Sequence, residues 1–283
     1  MEFPLKTFNP FELGLKPIPV EQWLSFNVAN SLYIQNKCKL INENLDEVIF
    51  VADAFRDEIH DLAHALKNNF LNINPSLHEQ LEQACCACNQ SISLNNHFLE
   101  LALCVEDDLL FLQPDNGSFK LVGAAVFSPS GWNLKDKQFL SIDSIHSPVP
   151  HYAELLGLKV NKVLGNLPIS KPFERHNWSI YQSNALYQPV SVKKTNAITA
   201  NSEAELKKLA IRVERQSLCR PLDSDMIIFS IKVSNFGIDK ITEDKLLTNN
   251  FLTCLESLSD EMIEYKGLHG AIDNLKDYLK SYA

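Results

Sequence analysis

The chain has 283 residues, 45% of them hydrophobic, which is enough for one or two domains with a sizeable core. Its net charge of −9, with a pI near 5.4, argues against a nucleic-acid-binding surface, which needs clustered basic residues. The same charge leaves a small cation as an allowed ligand, because acidic surfaces steer cations. No apolar run approaches the ~20 residues of a membrane helix. The start, Met1-Glu2-Phe3-Pro4-Leu5, lacks the basic and apolar stretches of a secretory leader. Seven cysteines without an even spacing framework read as reduced thiols, so a cytoplasmic protein is expected.

In chain order, residues 1–20 hold Phe3, Pro4, Phe8, Pro10, Phe11, Pro17 and Pro19. Prolines at this density forbid a long helix and predict an extended arm packing its aromatics on the body. From about 21 to 104 the period is helical. Val48, Ala52, Phe55, Ile59, Leu62 and Leu66 recur at steps of three and four, and Leu77, Leu81 and Ala84 repeat the pattern. After a polar break at Asn89–Asn96, a further helix is expected over His97 to Cys104. The period changes near 108. Leu109-Leu110-Phe111-Leu112 is a short apolar run, and the Asn116-Gly117 pair after it signals a tight hairpin with Phe119 to Phe127 as the return strand. Asn177 to Tyr181 and Asp225 to Val233 read as strands. Leu206 to Leu218 fits two readings: Leu209, Ile211 and Val213 alternate like a strand, while Glu203 to Lys208 suits a helix. The end is helical from Glu243, with a break at Lys266-Gly267-Leu268, and Lys193–Ser202 is the best candidate for a mobile loop. Helices, about four or five mostly antiparallel strands, then helices make an α+β layout.

Several constellations bear on chemistry. His60 and His64 share a helix face at i, i+4, but Asp61 stands where a zinc-protease helix carries Glu, and no third ligand is evident; surface or half-buried histidines are the competing reading. Cys85-Cys86-Ala87-Cys88 holds one CxxC without a second pair, so small apolar residues on a helix compete with a cluster. Neither GxGxxG, GxxxxGK nor GxSxG occurs, which removes the common nucleotide loops and the serine-hydrolase elbow. His146 lies between Ile145 and two prolines, Pro148 and Pro150, that fix the backbone after it. A pre-set loop presenting one imidazole suits an axial haem ligand, and a turn-bonding histidine is the alternative. If 209–218 is a strand, Arg212, Glu214 and Gln216 line one face together, either as an exposed ion-pair ladder or as the floor of a polar pocket. An arginine there suits a bidentate clamp on a carboxylate. Arg175, Asn177 and Trp178 combine a guanidinium, an amide and an aromatic ring, although Trp178 equally suits a core position.

Taken in order, these segments carry a resemblance. Phe11-x-Leu13-Gly14-Leu15-x-Pro17 opens the series. Val105-Glu106-Asp107-Asp108-Leu109 follows, then Leu121-Val122-Gly123-Ala124-Ala125-Val126, Pro129-Ser130-x-Trp132, Asp136-Lys137 and Ile145-His146-x-Pro148-Val149-Pro150. The later members are Arg175-x-Asn177-Trp178-Ser179, Leu186-x-Gln188-Pro189, Arg212 through Leu218, and Tyr265-Lys266-Gly267-Leu268. Each piece is weak, but in order and spacing the set resembles the haem-dependent oxidative N-demethylase (dimethylamine monooxygenase) α-subunit-like family over nearly the whole chain. The resemblance implies one domain: an arm and helices over 1–104, a PAS-like antiparallel sheet over 105–236 that holds haem b, and C-terminal helices over 237–283. It implies O2 activation at the haem and oxidation of a small secondary amine, with electrons from flavin and iron–sulfur reductase subunits. His146 becomes the expected axial ligand and metal-binding residue. Arg175, Arg212, Arg220, Lys137 and Trp132 become the expected cofactor contacts, and Glu214 the catalytic carboxylate facing an ammonium group.

Three positions depart from the family pattern. Gly131 stands where an arginine is usual, Phe139 where a Gly-Arg-Pro-Leu stretch starts, and Cys219 where an arginine is frequent. These departures remove basic groups where two propionates need neutralising, and they put a bulky ring in place of glycine. Two other functions keep the same fold: a haem or small-ligand PAS-type sensor without turnover, and a haem-free relative acting as an interaction subunit.

Overall fold

The computed structural model describes residues 13–26, 31–87, 96–190 and 198–283, and side chains at 80, 83 and 85–87 lie outside that description. Among the described residues seven strands build one sheet: β1 (Lys16–Pro17), β2 (Ile49–Val51), β3 (Asp108–Asp115), β4 (Ser118–Ala125), β5 (Phe173–Tyr181), β6 (Ala210–Cys219) and β7 (Ile227–Gly237). Their order is β1-β5-β6-β7-β3-β4-β2, with every pairing antiparallel. Helices α1 (Leu32–Val48), α2 (Arg56–Ile73), α3 (Leu77–Ala87) and α4 (His97–Cys104) precede β3. Between β4 and β5 come α5 (Ile142–His146) and α6 (Leu158–Gly165), and α7 (Glu203–Leu206) leads into β6. The chain closes with α8 (Ile238–Thr242), α9 (Lys245–Glu256), α10 (Asp260–Tyr265) and α11 (Ile272–Lys280). The fold is α+β, as the sequence predicts.

The local signals account for most boundaries. Ser31, Asn96, Ser141, Asp244 and Ser259 each accept a hydrogen bond from the third residue into their helix, satisfying a donor the helix leaves open. Asn116 and Gly117 both adopt positive φ, 47° and 84°, as a two-residue hairpin turn requires. The segment 203–219 satisfies both of its readings: the Ser202–Glu205 capping box closes one turn of α7, and β6 then starts at Ala210. Three expectations are corrected. The helical period through Val48 and Ala52 is interrupted, because Ile49, Phe50 and Val51 pair with Ala125, Ala124 and Gly123 of β4. The strand count exceeds four or five because β1 and β2, at two and three residues, are too short to show alternation. The pre-set loop expected around His146 is instead the end of α5, and the segment after it, for which no element is predicted, holds a π-helical turn at Tyr152–Gly157 and α6. The aromatic arm up to Phe11, most of the polar break before Asn96, Cys88 and residues 191–197 lie outside the described residues.

Register divides the sheet into two chemically different faces. Trp178, Ile180, Ile211, Val213, Leu109 and Phe111 share one face, and helices cover it. Phe98 of α4 meets Phe111 at 5.4 Å, and Phe251 of α9 meets Trp178 at 5.3 Å. Ile59 of α2 presses on Gly123, where an added Cβ would lie 2.6 Å from its Cδ1. Phe111, Ile59, Ile211 and Phe251 are fully buried, and each such side chain contributes about 1.5–3 kcal/mol. The opposite face carries Phe173, Arg175, Asn177 and Ser179 from β5, and Arg212, Glu214, Gln216 and Leu218 from β6. Phe229, Ile231 and Val233 of β7 and Asp108 and Leu110 of β3 continue it. Of these, Phe173, Arg175, Asn177, Gln216, Leu218, Phe229 and Ile231 are only half-buried.

Candidate functional site

The polar part of this half-buried face is built on β6. Arg212 is fully buried, and its donors all go to the protein. Nε donates to Ser130 Oγ at 2.8 Å. Nη2 donates to the carbonyls of Ser128, Pro129 and Leu186 at 2.7, 3.2 and 3.0 Å. Nη1 reaches Ala185 O at 3.3 Å and Asn235 Oδ1 at 3.5 Å. The guanidinium thus staples segments 128–130 and 185–186 over the sheet and keeps no fork for a carboxylate. Asp108 completes the staple by accepting from Phe127 N and Ser128 N at 2.8 and 2.9 Å.

Two residues along, Glu214 points the same way. Ser130 Oγ donates to its Oε1, while Gln216 Nε2 at 2.8 Å and Asn177 Nδ2 at 3.5 Å donate to Oε2. The hydroxyls of Tyr181 and Tyr265 lie within its field. Burial first, and then the Glu214 charge, raises both phenols, Tyr265 to about 12, so both stay protonated as donors. The sequence reading missed Ser130, Tyr181 and Tyr265. Ser130 and Tyr265 stand inside the ordered motifs, but nothing in their spacing places them beside Glu214.

Arg175 has its Nε buried with no hydrogen-bond partner among the described residues. Burial lowers its pKa, and Glu214 opposes that shift. A buried guanidinium with an unused donor is costly, which makes it a ready partner for an anionic group. Its charge acts on His146. Burial holds His146 below its ordinary pKa, Arg175 and Lys137 push in the same direction, and Ile142 O and Asp143 oppose them. His146 is therefore neutral near pH 7. Its Nδ1 lies 2.9 Å from Ile142 O, which can only accept, so Nδ1 carries the proton and Nε2 keeps a free lone pair. The ring stacks on Tyr152, centroids 5.0 Å apart and planes 14° apart. Lys137, at the end of a 3-10 turn, and Trp132, packed against the main core cluster, are both half-buried.

Among the predicted contacts, Arg220 is placed differently. Its Nη2 donates to Leu164 O and Gly165 O at 3.1 and 3.3 Å, capping the C-terminus of α6. The departures also resolve physically. Phe139 sits at φ 62°, a conformation natural to the usual glycine, and its ring is 55% exposed, edge-on to Phe50 at 5.0 Å. Cys219 pairs with Ile228 on the helix-covered face, where burial alone raises its thiol to about 12. Gly131 adopts φ 76° and donates its N–H to Gln188 O at 2.8 Å.

Outside this region, His60 and His64 acquire a companion no spacing announces. His97 of α4 lies 4.5 and 4.0 Å from their rings and bonds the buried Glu100, which also pairs with Lys67. Among the described residues no group of three or more His, Cys, Asp or Glu is arranged to hold a metal ion. The described cysteines 38, 104, 219 and 254 are buried. No described helix is long and apolar enough to cross a membrane.

An antiparallel sheet with one face sealed by helices, and the other combining aromatic residues with a neutral imidazole, a carboxylate and an unsatisfied guanidinium, makes this an α+β protein with one candidate binding face. The model of the family described as haem-dependent oxidative N-demethylase, alpha subunit-like, matches residues 14–276, and the chain belongs to that family. No curated protein sequence matches the chain.

Proposed function

We propose that the chain is a haem-b-holding oxygenase subunit that demethylates a small secondary amine, built on a PAS-like sheet. The observation that carries this reading is His146: neutral, its Nδ1 bound to Ile142 O, its Nε2 free, beside the unsatisfied Arg175 and Lys137. These residues fit the group. His146 Nε2 suits the iron, Arg175 and Lys137 suit the propionates, and Phe173, Leu218, Phe229, Ile231 and Trp132 suit the macrocycle as a half-buried apolar floor. Bound there, haem would supply reductive activation of O2 for removal of an N-methyl group as formaldehyde, with the demethylated amine and water as the other products, two electrons coming from a flavin and iron–sulfur reductase partner and two protons from solvent.

The chain's own residues supply binding and proton positions. Glu214 offers its carboxylate to the substrate ammonium, oriented by Ser130, Asn177 and Gln216. The Glu214 charge in turn helps to keep the phenols of Tyr181 and Tyr265 protonated. Arg212 acts as scaffold rather than as a propionate clamp, because its donors are committed.

The test is spectroscopic and then chemical. Purified protein supplied with haemin gives a Soret band that shifts on reduction, and His146→Ala abolishes it. With an artificial reductant, O2 and dimethylamine, the loaded protein forms formaldehyde, and Glu214→Gln lowers the rate at least tenfold. A protein without a Soret band under any loading condition refutes the proposal, whereas bound, reducible haem without formaldehyde leaves a sensor or binding protein.

A further inference from the structure

We infer that Tyr152 is a positioning residue for His146, holding the imidazole plane so that Nε2 faces one direction. This inference rests on the haem-binding reading above and deepens it. A hydrogen bond from Nδ1 to Ile142 O fixes one atom of the ring and still permits the plane to swing about that bond. The ring of Tyr152, 5% exposed and stacked at 5.0 Å and 14°, removes that freedom. Metal ligation rewards an imidazole whose orientation is set beforehand.

Tyr152 is itself fixed. The backbone turns twice between the two rings, with Val149 N bonded to His146 O at 2.8 Å and Tyr152 N to Val149 O at 3.2 Å. His151 then adopts φ 56°, and the π-helical turn Tyr152–Gly157 starts at the tyrosine. Such wide turns recur where a side chain must be re-aimed for function. Gly157 leaves room for the arrangement: an added Cβ would lie 3.6 Å from Tyr152 Cε1 and 3.3 Å from Asp143 Oδ1. Asp143, beside the phenol, is anchored by Asn161 Nδ2 at 3.1 and 2.9 Å and by Ser118 Oγ at 2.9 Å. The flat ring, rather than its hydroxyl, makes the contact with His146.

Tyr152→Phe keeps the stack and Tyr152→Leu keeps much of the volume without it; Tyr152→Met serves as a second volume-filling variant if the leucine form does not fold. In haemin titrations the phenylalanine variant binds within twofold of the parent. The leucine or methionine variant binds at least tenfold more weakly, and its iron–histidine stretching band shifts and broadens. Nitrogen-15 and proton spectra of the imidazole in haem-free protein give a second reading. The parent and Tyr152→Phe show narrow ring resonances of one orientation, and Tyr152→Leu keeps the Nδ1–H tautomer but shows exchange-broadened ring resonances. Unchanged haem affinity together with equally narrow ring resonances in Tyr152→Leu overturns the inference. If the parent takes up no haem, the functional reading fails, and the line-width comparison alone decides the positioning role.

Discussion

Arg212 carries a full charge in a site with no exposure, and carbonyls, a hydroxyl and a side-chain amide oxygen surround it. Removing the charge leaves those acceptors buried and unmatched, which costs far more than the hydrogen bonds contribute in net terms. Arg212→Leu is expected to lower stability by about 3–5 kcal/mol in denaturant unfolding, with the segments at 128–130 and 185–186 gaining hydrogen exchange. Arg212→Lys recovers less than half, because an ammonium cannot match a planar fork reaching two segments. The alternation of Arg212, Glu214 and Gln216 was legible in the sequence, since a strand places alternate residues on one face. Which of them is tied to backbone and which is left for other partners was not. That depends on two upstream segments, 84 and 26 residues before Arg212, folding over the strand.

Gly123 and Ile59 join β4 to α2. Gly123→Ala places a methyl where Ile59 Cδ1 already lies, 2.6 Å away. Overpacking of this kind costs about 1–3 kcal/mol. Since Ile59→Val deletes that Cδ1 atom, the double variant is expected to recover at least half of the loss, measured as a coupling energy in a double-mutant cycle. Asp108 opens β3, and burial raises its carboxyl to about 6, with Lys37 opposing the shift. Between about pH 4 and 6 the folded state holds a proton that the unfolded chain has lost. Stability therefore falls as pH rises through this window, by on the order of 2–3 kcal/mol from this group. Asp108→Asn is expected to flatten that slope in unfolding curves measured from pH 4 to 7, while loosening segment 127–128. Hairpin 108–125 was readable because Asn-Gly selects its own backbone conformation. Strand β2 was not, since three residues carry no period and take their form from β4.

Two helix layers, one from each end of the chain, seal the same sheet face and leave the other partly open. A ligand that binds only the folded state stabilises it by mass action, about 2.7 kcal/mol at a free concentration 100 times its dissociation constant. On the haem reading, the thermal midpoint of the whole chain is expected to rise with haemin concentration in the parent and to stay constant in His146→Ala. Differential scanning calorimetry at stepped haemin concentrations checks this, and equal shifts in both proteins would assign the stabilisation to unspecific binding.

The order of short motifs, the helix caps, the hairpin turn and the face shared by Arg212 and Glu214 follow from the sequence alone, because each depends on residues within a few positions of one another. The axial candidate His146 also stood out there, between Ile145 and two prolines. The tertiary structure alone brings Ser130, Tyr181 and Tyr265 to Glu214, gives Arg212 and Arg220 to backbone carbonyls, turns Phe139 outward against Phe50, and adds His97 to the histidine pair. These juxtapositions span 26 to 89 residues of sequence. A buried polar group takes whichever partner satisfies it, and the identity of that partner is a property of the closed chain rather than of any local pattern.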